Sequence, residues 1–161
     1  MIVRAARPGD AGAIRAVIDA AFDGNDEANL VTALRDSGDA AMEIVAETDK
    51  ILIGHVMLSR LASPGNCLAL APLAVAPDFQ RRGVGEALMN HAIESARESG
   101  ARAIFLLGAP AYYARFGFSV AAAAKFDTIY PKEHMMALEL APGALATLDG
   151  AIDYAVPFSE F

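Results

Sequence analysis

The chain has 161 residues, 55% of them hydrophobic, and a formal net charge of −7. That hydrophobic share excludes a disordered chain, and the length is that of one domain with a real core. The acidic balance argues against nucleic acid as a partner, which needs clustered lysine and arginine, and is compatible with a cationic substrate such as an amine.

Residues 2–5 read as a short first strand. Ala13, Ile14, Val17, Ile18, Ala21 and Phe22 then recur at helical spacing, with Asp10 placed to favour the helix N-terminus. A second helix follows the break at residues 23–26, carries Leu30, Val31 and Leu34 on one face and ends near Gly38. Residues 42–47 and 51–59 form a hairpin pattern around Thr48, Asp49 and Lys50. Residues 67–75 make a further strand with Pro72 inside it, where the missing ladder donor predicts a bulge or interrupted pairing. A helix after Gly83 presents Val84, Leu88, Met89, Ala92, Ile93 and Ala96 on one side and stops at Gly100. Residues 103–107 read as a buried strand, Gly108, Ala109 and Pro110 open a short helix holding Tyr112 and Tyr113, and residues 135–140 read as another strand. Beyond that the pattern weakens to a short helix at 142–148 and an extended end at 152–156. This alternation predicts a mixed α/β domain spanning residues 1–161.

The longest uncharged stretch, residues 61–77, is interrupted by Pro64, Gly65, Asn66 and Pro72 and falls short of the ~20 residues of a membrane helix. No secretory apolar segment opens the chain, so a cytoplasmic location and no membrane partner are expected. The single cysteine, Cys67, permits no internal disulfide and reads as a small core side chain.

The most informative stretch is Phe79-Gln80-Arg81-Arg82-Gly83-Val84-Gly85-Glu86. Glycine at a helix start costs about 1 kcal/mol relative to alanine, so something should be gained. The first amides of a helix lack intrahelical partners and that end attracts anions. Bare positions at Gly83 and Gly85, beside Arg81 and Arg82, read as a phosphate or pyrophosphate cradle. A Walker A loop would need lysine and serine or threonine where Glu86 and Ala87 stand, and a dinucleotide fingerprint would need a small residue where Leu88 stands. The pattern Gln/Arg-x-x-Gly-x-Gly/Ala is met in full by residues 80–85.

With this loop and the later Ala111-Tyr112-Tyr113-Ala114-Arg115-Phe116-Gly117-Phe118, the sequence resembles the GNAT superfamily of acetyl-CoA-dependent N-acetyltransferases, in particular a little-characterised bacterial branch of predicted acetyltransferases. The resemblance is concentrated in residues 70–118. It implies a single domain with a mixed, mostly antiparallel sheet flanked by helices and splayed at the cofactor site. It implies acetyl-CoA as co-substrate, with Leu73, Ala74 and Val75 pairing with the pantetheine arm. Gln80, Arg81, Arg82, Gly83, Val84, Gly85 and Glu86 would receive the pyrophosphate, and Gly108, Tyr112 and Phe116 would lie against the cofactor. Many relatives carry an asparagine where Gly108, Ala109 and Pro110 stand here, so that side-chain contact is not expected.

Acetyl transfer needs an oxyanion stabilised and protons moved off the amine and onto the thiolate. A backbone N–H within residues 73–75 is the candidate for the first. Tyr113, the motif tyrosine, is the candidate acid, since a phenol with a reference pKa of about 10 is protonated at neutral pH. No base stands out: residues 67–71 hold no carboxylate, and Glu27, Glu43 and His55, the last through water, remain open. Arg115 suits either the cofactor phosphates or a solvated helix face. His55, His91 and His134 lack metal-ligand spacing, so no metal is expected. Cys67 is the only thiol and nothing beside it suggests activation, which favours direct attack in a ternary complex on a primary amine, borne by a small molecule or a peptide. A non-catalytic acyl-CoA-binding module and a longer acyl donor are the rival readings, and a homodimer is compatible with the sequence.

Overall fold

The computed structural model describes all residues from Met1 to Phe161. Six strands form one sheet in the order β1 (Ile2–Ala5), β2 (Ala40–Thr48), β3 (Ile51–Arg60), β4 (Cys67–Val75), β5 (Ala103–Leu107) and β6 (Met135–Glu139). Every pairing is antiparallel except β4 with β5. That exception follows from the connection, because α3 (Val84–Glu98) carries the chain back along the sheet before β5 begins.

Helices cover both faces. The periodic face of α3, Val84, Leu88, Met89, Ala92, Ile93 and Ala96, packs on Ile44, Val56, Leu58 and Leu70. On the other face, α1 (Ala11–Ala21) and α2 (Asp26–Ser37) bury Ile14, Ile18, Val31 and Leu34 against Val45, Met57 and Ala74. Gly38 caps α2 in the left-handed conformation. A third cluster joins Phe105 and Phe126 to the C-terminal segment. No helix is long and apolar enough to cross a membrane.

Pro72 interrupts the ladder as its chemistry requires. Val56 pairs with Leu73 and Leu58 with Leu70, so Ala71 and Pro72 together oppose Met57 in a bulge. Two expectations are corrected. Residues 142–148 form no α-helix, only a 3-10 turn at Leu145–Thr147, because Pro142 and a left-handed Gly143 leave too few residues to nucleate one. The C-terminal stretch is held by single bridges, Asp127 to Ala151 and Ser63 to Asp153, and residues Val156–Ser159 coil into a 3-10 turn with Pro157 in its first positions. The short helix α4 (Pro110–Tyr113) stands where expected. A further one, α5 (Val120–Ala123), is capped by Ser119, whose hydroxyl accepts from the Ala122 amide at 3.1 Å.

Candidate active site

The site begins where two strands part. β4 and β5 pair only at Cys67 with Ala103, Leu68 with Ile104 and Ala69 with Phe105. Beyond Ala69 the bulge turns β4 away and the sheet opens. The Ala76 amide donates to the Ile53 carbonyl at 2.8 Å, so by strand alternation the peptide groups of Leu73 and Val75 face the open side. Ala74 points its side chain into the core with Ile14 and Met57 and is buried.

At the mouth of this opening lies the glycine loop. The sign of φ alternates: Gln80 at −67°, Arg81 at +62°, Gly83 at +84°. Gly83 has open space around it, so its reason is the left-handed backbone and not room. The amides of residues 81–86 donate to no backbone or side-chain acceptor, giving six consecutive free N–H groups around the start of α3. Alternating φ with free amides makes an anion-binding concavity, and the helix end adds its dipole. Arg81 and Arg82 are exposed beside it, with the Arg82 guanidinium over the Phe79 ring at 5.6 Å. Among the residues expected here, Gln80 is exposed, and its Nε2 donates to the Val75 carbonyl at 3.1 Å and ties the loop to β4. The Val84 side chain is core, and Glu86 is exposed, so these two offer the site their amides only.

Gly85 is bare for a different reason. A Cβ there would stand 2.9 Å from the Tyr112 hydroxyl. The loop therefore meets α4 through this gap, and Tyr112 is seated by it. Tyr112 stacks edge-on against Tyr113 at 4.9 Å and Phe116 at 5.5 Å, and Arg115 lies over its ring at 4.7 Å while Nε donates to the Tyr112 carbonyl. Gly108 is bare because the Tyr113 ring occupies the space a Cβ would take. The Tyr113 ring reaches Phe118 at 6.2 Å, and burial first, then the neighbouring Tyr112 phenol, pushes its hydroxyl above the usual tyrosine value. It stays protonated at neutral pH.

Tyr113 also lines a cavity of about 550 Å³ on the side of the opening away from the loop. Pro72 and Leu73 of the bulge, Leu107 of β5, Glu27 of α2 and Tyr154 of the C-terminal segment share that wall. Glu27 Oε1 and the Tyr154 hydroxyl are buried without a hydrogen-bond partner, and burial raises the Tyr154 phenol. Sequence reasoning named Glu27 among several bases but missed Tyr130, Tyr154 and Phe158. The concentration of aromatics in the last third of the chain was the available signal.

The other candidates stand elsewhere. The Glu43 carboxylate accepts from Arg35 Nε and Nη2 at 2.7 and 2.8 Å and meets His55 Nε2 at 2.9 Å. Burial alone would raise its pKa, but hydrogen bonds from His55 and Arg35 outweigh that and hold it at about 2. It pairs with Arg35 to tie α2 to β2 and hydrogen-bonds His55 of β3. His55 is fully buried opposite Ala74 and does not line the cavity. Cys67 is buried among Phe105 and Phe126, and burial pushes its thiol up, which disfavours a thiolate nucleophile.

Residues 13–118 match the Acetyltransferase (GNAT) family. The chain is 33% identical to the uncharacterized N-acetyltransferase YhbS of Escherichia coli K12 over 167 positions, covering all of both chains. It is 36% identical to the uncharacterized N-acetyltransferase YjhQ of the same organism, covering 78% of this chain and 75% of that one. The crystal structure of E. coli YhbS in complex with CoA superposes with a TM-score of 0.93 at 31% identity, over 99% of this chain and 92% of that one. A GNAT family acetyltransferase of Brucella melitensis in complex with acetyl-CoA gives 0.82 at 29%, over 98% and 97%. On this full-length likeness and the matched family, the chain belongs to the GNAT family of acetyltransferases.

Proposed function

We propose that the chain moves an acetyl group from acetyl-CoA to a primary amine by direct attack in a ternary complex, with residues 1–161 acting as one catalytic domain. One observation carries the reading: the β4–β5 opening has six free amides at one end and a half-buried, protonated tyrosine at the other. Amides 81–86, with Arg81 and Arg82, receive the pyrophosphate. The outward peptide groups of Leu73 and Val75 extend β4 onto the pantetheine amides, while Gly108, Tyr112 and Phe116 border the same side. A backbone N–H of residues 73–75, just past the bulge, meets the developing oxyanion. Tyr113 gives its hydroxyl proton to the departing thiolate. Metal plays no part in these roles. The CoA and acetyl-CoA named in the E. coli and Brucella complexes support this co-substrate, and the burial of Cys67 supports direct attack over a thioester on the protein.

The test is ligand-dependent melting followed by turnover. Acetyl-CoA at about 100 times its dissociation constant adds ~2.7 kcal/mol of stability, roughly 5–10 °C for a chain of this size. NADH and ATP add much less. A shift with NADH and none with acetyl-CoA overturns the assignment. Release of free thiol across a panel of amines then establishes transfer. Tight acetyl-CoA binding with no turnover on any amine points to the non-catalytic acyl-CoA-binding alternative.

A further inference from the structure

The cavity under Tyr113 has walls of one character and charges of one sign. Leu73, Tyr130, Tyr154 and Phe158 are among the apolar and aromatic residues that line it. The Tyr154 ring stands 5.2 Å from Tyr130 and 4.8 Å, edge-on, from Phe158, so the aromatic wall is continuous. The charged residues are Asp26 and Glu27, and no lysine, arginine or histidine lines the space. Both acids open α2, where the helix dipole alone would favour a carboxylate. That does not account for Glu27 Oε1, which is out of water with no donor, nor for the unpartnered Tyr154 hydroxyl on the same wall. A buried polar oxygen left unmatched is costly.

We propose that this cavity takes a small amine with a single positive charge on an aromatic or apolar body, an arylalkylamine in chemical class, and that Glu27 receives its ammonium group and takes its proton. The inference rests on the acetylation reading above. An ammonium supplies the donor that Oε1 lacks, and the tyrosine and phenylalanine faces hold the apolar body. A free amino acid would bring its own carboxylate against these two acids with no cation to meet it. A polyamine has no apolar body to set against the tyrosine and phenylalanine faces, and Asp26, the other acid, is exposed and already in water.

The proton balance closes. The ammonium loses one proton to the Glu27 carboxylate, and the freed nitrogen lone pair forms the C–N bond at the thioester carbonyl. The C–S bond breaks, the thiolate sulfur takes the Tyr113 proton, and the tyrosine oxygen takes back the remaining surplus proton from nitrogen. Glu27 releases its proton to solvent, one per turnover.

Calorimetric titration of CoA-saturated protein with 2-phenylethylamine tests this without requiring turnover. The expected result is saturable binding that Glu27→Gln weakens at least tenfold, with phenylalanine, 3-phenylpropionate and spermidine each at least tenfold weaker on the parent protein. If Glu27→Gln does not fold, Glu27→Asp, which keeps the charge but withdraws it by one methylene, should show an intermediate loss. Equal affinity in parent and variant, no binding of 2-phenylethylamine, or tighter binding of phenylalanine or spermidine overturns the inference. Failure of every amine to be acetylated counts against the acetylation reading instead, and the binding result still decides this one.

Discussion

The two sides of the β4–β5 opening are made of different materials. The loop side is backbone: six free amides from residues 81–86 with two exposed arginines, contiguous in the chain. The cavity side is side chains gathered from distant places, Glu27 from α2, Leu73 from β4, Tyr113 from α4, Tyr154 and Phe158 from the C-terminal segment. Amides are the same whichever residue carries them, so the loop side keeps its donors wherever the backbone conformation survives. The cavity side depends on which side chains stand there. On the proposed reading, substitutions in α2 and the C-terminal segment would change the acceptor without disturbing the loop.

The sharpest way to separate the two sides is at Tyr113, which borders the opening and the cavity together. Tyr113→Phe keeps the ring against Phe118 and removes only the hydroxyl. Turnover with an identified amine should fall on the order of 10²–10⁴-fold while acetyl-CoA affinity changes little. Equal turnover removes Tyr113 from the chemistry and leaves the donor side intact.

Next in size is the ionic tie that holds α2, and with it Glu27, to the sheet. The folded Glu43 carboxyl sits at about 2 against an ordinary 4.5. A depressed folded pKa means that the stability is fully present above about 4.5 and is lost as pH falls toward 2. Glu43→Gln should therefore be less stable at pH 7 by on the order of 3 kcal/mol at most, and the gap should close on acidification through that window. Asp10, held near 2 by hydrogen bonds from Arg4 and the Arg7 amide, titrates over the same range in both proteins and cancels. Denaturant unfolding at several pH values checks this, and parallel curves would show that Glu43 contributes nothing through its charge.

On the loop side, Gly85→Val places a branched side chain where the Tyr112 hydroxyl lies. CoA affinity should weaken at least tenfold, about 1.4 kcal/mol, in a protein that still folds. Unchanged affinity by calorimetry would mean that the gap serves packing alone. Gly83→Ala, by contrast, is a test of folding stability alone. Nothing crowds it, so only the left-handed backbone at φ +84° is penalised, by about 1–2 kcal/mol of stability. A melting curve identical to the parent's would show that the loop accepts another conformation.

Much of the architecture was legible because its signals are local. The apolar spacing of α3 and its Gly100 stop, the hairpin of β2 and β3, and the bulge demanded by Pro72 each follow from residues within a turn or a strand of one another. The glycine loop was legible for the same reason, although its two glycines were read as one device. The structure separates them, Gly83 for its dihedral and Gly85 for the space it leaves to Tyr112. The C-terminal segment was read poorly because its shape depends on single bridges to Ser63 and Asp127, far away in the chain.

From sequence alone came the free amides at the start of α3, the arginines beside them and the tyrosine helix that follows β5. A helix start has unsatisfied donors whatever surrounds it, and its dihedral requirements are met or refused by the residues on the spot. What only the tertiary structure decided was the cavity side: that Glu27 and not Glu43 or His55 faces the opening, and that Tyr154 and Phe158 close it. A cavity is the gap left between elements that pack from different parts of the chain, and which side chain borders it depends on how α2 and the C-terminal turn come to rest on β4.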